Sequence, residues 1–183
     1  MKKFVVAPAL AALAMFVFGA IYWMSPFPYK ALTPVGDNAA AAAALGKIFP
    51  ATGTFLVPGP ETDAKQVEQL YAQGPIATVH FVKEGHPMME PAVFAQGFVH
   101  YFVTALLLMI MLTKATPLFH SFMCRVKFSV FIGVLAAVAV TFSNPIWWHH
   151  TWGWALMGTL YCVLNFAVAG LVLAKFTMTP TAK

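Results

Sequence analysis

Residues 4–24 read FVVAPALAALAMFVFGAIYWM, a run of 21 residues without a charge. A hydrocarbon layer about 30 Å thick is crossed by roughly 20 helical residues rising about 1.5 Å each. The stretch therefore predicts a transmembrane helix. Three more apolar runs follow, at residues 94–113, 128–143 and 152–174. The third is short for a span, so it is expected to begin earlier, with Arg125 and Lys127 snorkelling toward the headgroups. Ser25-Pro26, Lys114 with Pro117, Asn144-Pro145 and Lys175 punctuate the four runs, and proline cannot continue a hydrogen-bonded helix.

Composition agrees. Of 183 residues, 60% are hydrophobic and 9% charged, against about 45–50% and about 25% in soluble domains. This excludes most soluble enzymes of this length, and it excludes disorder, which needs the opposite bias. The excess of 11 Lys and Arg over 6 Asp and Glu does not suggest nucleic acid, because no basic cluster with interleaved aromatics occurs. The first run is expected to be an uncleaved anchor rather than a signal peptide. Its apolar body exceeds the roughly 7–15 residues usual for a signal. Phe18 also stands where a small residue would be needed two positions before Ala20.

Lys and Arg concentrate on the cytoplasmic side of membrane proteins. With both termini inside, that side holds Lys2, Lys3, Lys114, Arg125, Lys127, Lys175 and Lys183 and no acid. The outside then holds Lys30, Lys47, Lys65 and Lys83 with all six acids: Asp37, Glu61, Asp63, Glu68, Glu84 and Glu90. The expected division is a first helix over 1–24, an extracytoplasmic insertion over 25–93, and three helices with short loops over 94–183. The insertion lacks cysteine, so no disulfide staples it, and it is expected to lean on the membrane domain or a partner. Asp37-Asn38 predicts a helix cap before the alanines 39–44, with a stop near Gly46. Thr62 or Asp63 caps a second helix through Val67, Leu70 and Tyr71, ending at Gly74-Pro75. Residues 54–57 and 76–82 predict a small antiparallel pair, with Ala77, Val79 and Phe81 on one face.

Every tryptophan falls at the outer boundary: Trp23, then Trp147, Trp148, Trp152 and Trp154. An aromatic belt explains most of this. The sharper reading is a cofactor, haem, quinone or lipid site built from His100, His149, His150, Trp147 and Trp148. Imidazoles at one membrane depth are ligands for haem iron, copper or zinc. Against it, no HExxH or CxxCH occurs, and adjacent His149 and His150 project differently. His86, Met88 and Met89 are soft groups suited to Cu(I), a weak set without repetition. His120 is alone on the inner side. The sequence requires no cofactor and shows no catalytic residue. Cys124 beside Arg125 reads as an inert interface thiol, and it cannot pair with Cys162 in mid-membrane.

Few polar groups enter the spans. Asn165 and Cys162 share a face, and Asn165 is expected to bond between helices. Thr104, Thr141 and Thr159 can bond their own helix backbone. No acidic or basic residue lies within a hydrocarbon run, which argues against a pump or proton-coupled transporter. Gly133 with Ala137, and Gly170 with Ala174, are small-x-x-x-small pairs that either close the bundle or face a partner subunit.

In order, Phe18-Gly19-Ala20-Ile21-Tyr22-Trp23-Met24-Ser25-Pro26, Gly53-Thr54-Phe55-Leu56-Val57-Pro58-Gly59, Gly74-Pro75-Ile76-Ala77, Ile146-Trp147-Trp148 and Ala169-Gly170-Leu171-Val172-Leu173-Ala174 resemble a family of small bacterial inner-membrane proteins to which no activity is assigned. The resemblance implies four membrane helices with an outer insertion after the first, and it carries no site residues.

The expected fold is an all-α bundle of four transmembrane helices with a small α+β insertion. Short connections are expected to make the second, third and fourth helices antiparallel neighbours. The leading functional expectation is a non-enzymatic accessory or scaffold subunit of a larger, energy-transducing inner-membrane complex, contacting lipid and other membrane subunits but no nucleic acid. A cofactor-, quinone- or lipid-binding protein is the alternative, and a small membrane enzyme or transporter the third.

Overall fold

The computed structural model describes residues 3–60, 63–119 and 121–177. Lys2, Glu61, Thr62, His120 and Lys183, which enter the charge sorting, capping and histidine readings above, lie outside the described residues. Four helices are long and apolar enough to cross a membrane: Lys3–Met24, Pro91–Lys114, Phe122–Trp147 and Trp152–Thr177. That set is compatible with a multi-pass membrane protein. The chain divides into two compact units. One comprises Met1–Leu32, Met89–Pro145 and His150–Lys183; the other comprises Thr33–Met88 and Ile146–His149.

In the larger unit, helix α1 (Lys3–Met24) buries Ala7, Pro8, Ala11, Ala12, Met15, Gly19 and Tyr22. These lie at spacings of three and four, one face of a helix. Helix α4 (Pro91–Lys114) buries Ala105, Leu108, Met109 and Leu112. The third span is composite. It joins α5 (Phe122–Ala136), a π-helical turn (Ala137–Thr141) and the short α6 (Ser143–Trp147). Helix α7 (Trp152–Thr177) buries Ala155, Asn165, Ala169, Gly170, Leu173, Ala174 and Thr177. Ala7, Ala11, Met15, Ala105, Leu108, Met109, Leu112, Ala169 and Leu173 form one core. Alanines from three helices in this list let the backbones approach closely, as lipid-embedded packing requires.

The neighbour relations differ from those expected from loop lengths. Helix α7 packs on α5, α1 and α4, and α1 packs on α4, whereas α4 and α5 share no substantial seam among the described residues. The connection between them holds only a short 3-10 turn, Thr116–Leu118. Complementary small faces decide the pairing instead. A Cβ on Gly133 would lie 2.7 Å from Phe166 Cβ, and one on Gly170 would lie 2.6 Å from Ser129 Cβ. Ala137 and Ala174 are also fully buried. The α5–α7 seam thus uses both small-residue pairs within the chain.

The third span starts at Phe122, where the Ser121 hydroxyl accepts from the Cys124 amide at 3.2 Å. Arg125 does not snorkel: it is 3% exposed, while Lys127 is exposed. The charge pair that read as a membrane boundary is split by helix geometry, since two positions along a helix point about 200° apart.

In the smaller unit, α2 (Asn38–Ile48) is capped by Asp37, whose carboxylate accepts from Ala40 N at 2.9 Å. It runs through Gly46 to Ile48 rather than stopping near the glycine. Helix α3 (Ala64–Gln73) is capped by Asp63, which accepts from the Lys65 and Gln66 amides. It ends at Gly74, whose φ of 67° suits a residue without Cβ. Strands β1 (Gly53–Val57) and β2 (Ala77–Phe81) pair antiparallel with Phe55 opposite Val79. Phe55 and Phe81 share a face, and Phe49 stacks on them with centroids 4.6 and 5.5 Å away. On the opposite face Thr54 Oγ1 and His80 Nδ1 lie 3.0 Å apart.

Beyond the strand ends, Thr52 donates its hydroxyl to Glu84 at 2.8 Å and accepts from the Lys83 amide at 3.0 Å. The Thr52 bond, then a backbone bond at Glu84 itself, holds this exposed carboxyl below the usual carboxylate range. A depressed folded pKa adds stability above the unfolded value, and that contribution is lost as pH falls through the folded value. The hydrogen-exchange protection of the Lys83 amide is therefore expected to drop as the carboxylate protonates in acid. Thr52→Ala should remove that pH dependence; an unchanged acid profile in the variant would show that the clasp is not formed.

Candidate functional site: an aromatic and polar cluster among three helices

Three helices of the larger unit bring tyrosines together near the C-terminal end of α1. Tyr161 of α7 stands parallel to Phe18 of α1, with ring centroids 5.9 Å apart, and 5.2 Å from both Tyr22 and Trp23. Trp23 also meets Trp154, centroids 5.7 Å apart. From α4, Tyr101 sits edge-on to Phe16 at 6.3 Å. Such edge and offset contacts follow the ring quadrupole.

The hydroxyls then find one another. Tyr101 and Tyr161 are hydrogen-bonded through their Oη atoms. The Asn165 amide donates to Tyr161 Oη at 3.2 Å. Tyr22 donates to the Met157 carbonyl at 2.9 Å. Gly19 makes the junction possible, because a Cβ there would come 2.8 Å from Tyr161 Oη and 3.0 Å from Tyr101 Oη. In an apolar medium each such bond replaces a group otherwise left without a partner.

Asn165 differs from its expected role. It bonds within α7, four residues back to Tyr161, and reaches α4 only through that phenol. Its Oδ1 is buried without a partner among the described residues, so the cluster offers an open acceptor to a donor. Thr104 bonds the His100 carbonyl at 3.0 Å, as its type permits. Thr159 Oγ1, by contrast, is buried and has no partner among the described residues. Cys162 donates its thiol to the Gly133 carbonyl across the α5–α7 seam at 3.6 Å.

The histidines and tryptophans read from the sequence are distributed between the two units. His100, about two and a half turns into α4, has its ring centroid 5.3 Å from that of Tyr101. His150 belongs to the same unit, and its amide donates to the Asn144 carbonyl at 3.3 Å. Trp147, Trp148 and His149 belong to the smaller unit. His149 has a φ of 56°, a left-handed conformation uncommon for a residue with a Cβ. His86 Nδ1 lies 3.1 Å from the Pro87 carbonyl, and Met88 and Met89 are exposed. Among the described residues, no three His, Cys, Asp or Glu side chains converge as metal ligands.

The cluster holds phenols, an amide and indoles. These groups hydrogen-bond and pack. Tyr22, Tyr101 and Tyr161 were not legible as polar residues because tyrosine scores with the apolar set. The signal that finds them is Tyr161 four residues before Asn165, a spacing that places both on one helix face. No family model, no curated protein and no solved structure matches this chain.

Proposed function

We propose that this chain is a non-enzymatic inner-membrane subunit, with both termini cytoplasmic, that serves a larger assembly as an accessory or scaffold component. The sorting of the basic residues 114–127 from the acids at 37–90 supports the orientation. The observation that carries the reading is the makeup of the smaller unit. Among its described residues from 33 to 88, only Phe49 is buried. Leu45, Ile48, Leu56, Val57, Leu70 and Tyr71 are all exposed there, outside any span. Lipid accounts for exposed leucines on α1 or α4 but not for these. A segment with so little core of its own gains stability by covering such residues against another protein.

The test is isolation from native membranes in a mild detergent. The chain should migrate in a stoichiometric complex, and Leu70→Asp combined with Tyr71→Ser should release it while leaving it membrane-inserted. Truncating anchors of this kind typically costs about 2 kcal/mol or more of binding each, at least about thirtyfold in affinity. A solitary monomer before substitution would sink the reading.

A further inference from the structure

We propose that Arg125 forms a binding site for a phosphate group, supplied by an anionic phospholipid headgroup or by free inorganic phosphate. Arg125 is 3% exposed. Its Nη1 donates to the Ser121 carbonyl at 3.0 Å, and the Phe119 ring lies 6.0 Å from its central carbon. Nε is buried and has no acceptor among the described residues. An arginine remains charged under all ordinary conditions. A buried charge without an anion is among the most costly arrangements a fold can hold.

Among the described residues of its own unit, no carboxylate lies at this end of the helices. No side-chain carboxylate follows Glu90 in the sequence. Glu90 itself precedes α4, a helix of 24 residues and so about 36 Å long, whose far end is the one followed by Phe119 and Ser121. The surroundings favour an anion. Arg125 sits in the first turns of α5, where the dipole of this 15-residue helix is positive. The Ser121 hydroxyl faces the same turn through the Cys124 amide. The Nε edge of a guanidinium is the edge that grips a phosphate through two parallel bonds. The beginning of a membrane span is also the depth at which lipid phosphates are the abundant anions.

The experiment uses the full chain in an uncharged detergent, with thermal unfolding followed during titration with phosphatidylglycerol, phosphatidylcholine or inorganic phosphate. Phosphatidylglycerol should raise the midpoint well beyond phosphatidylcholine. A matching rise with inorganic phosphate identifies the free ion as the ligand; a rise with the lipid alone identifies the headgroup. Equal midpoints for all three additions overturn the site. Arg125→Met should weaken the apparent affinity by about tenfold or more, the order expected for losing a charge-assisted bond. Lys127→Gln should leave it within about twofold, as screened exposed charges do. If Arg125→Met does not fold, Arg125→Lys retains the charge without the fork and should still bind more weakly. Undiminished binding in either variant overturns the proposal.

Discussion

Gly170→Val is expected to destabilise the bundle more than any other single substitution in the α5–α7 seam. Even the first added carbon meets Ser129 Cβ at 2.6 Å and Ser129 Oγ at 2.8 Å, with the Val126 Cα only 3.5 Å away. Ser129 cannot swing aside freely, since it is fully buried and its hydroxyl bonds the Arg125 carbonyl at 2.9 Å. The helices must therefore separate, at a cost of about 1–3 kcal/mol or more for an overpacked core. Gly170→Ala should show the same sign more weakly. That inverts the usual preference, because glycine to alanine in a helix interior ordinarily stabilises by about 1 kcal/mol. Gly46→Ala in α2 is the internal control. Nothing lies within 4 Å of its added carbon, so the ordinary gain should appear there. Thermal unfolding in mild detergent, read by circular dichroism, separates the cases. A Gly170→Ala protein more stable than the parent would mean that α5 and α7 do not meet at this point.

Tyr161→Ala is expected to have an effect of similar size, at about 3 kcal/mol, the low end for truncating a large aromatic side chain. The ring contacts Phe18, Tyr22 and Trp23 at once. Its loss also leaves Tyr101 Oη and the Asn165 amide without the partner that joins them. Tyr161→Phe keeps the ring and removes only the hydroxyl, so it should cost about 0.5–1.5 kcal/mol. The two variants thus divide packing from hydrogen bonding. Equal losses would overturn this account, because the stacked ring would then contribute nothing.

The spans were legible because lipid imposes a length and an apolarity that few other environments demand. The caps at Asp37 and Asp63 were legible for a similarly local reason: a short acidic side chain before an apolar run satisfies amides that nothing else reaches. Features set by a distant partner were not. Arg125 and Lys127 read as equivalent boundary charges, yet one is enclosed and the other free, which depends on the side of α5 that faces the bundle. The pairing of α5 with α7 rather than α4 depends on matched Gly, Ser and Ala surfaces, and loop length carries no information about those. Tyr101 and Tyr161 scored as apolar until the fold placed their hydroxyls together. The histidine and tryptophan set around His100 and Trp147 was assembled from a shared membrane depth, a one-dimensional criterion that leaves lateral position open.

The central place of α7 also sets an order of events in time. It is the last of the four spans to leave the ribosome, and α5 packs on no other membrane helix to a comparable extent. Helices α1 and α4 can meet as soon as both are inserted. Helix α5 must wait while residues 137–177 are made, roughly 2–8 s at ordinary synthesis rates. During that interval its glycine and serine face is open to any neighbour with a similar surface, so the nascent chain is most exposed to mispairing until α7 has emerged.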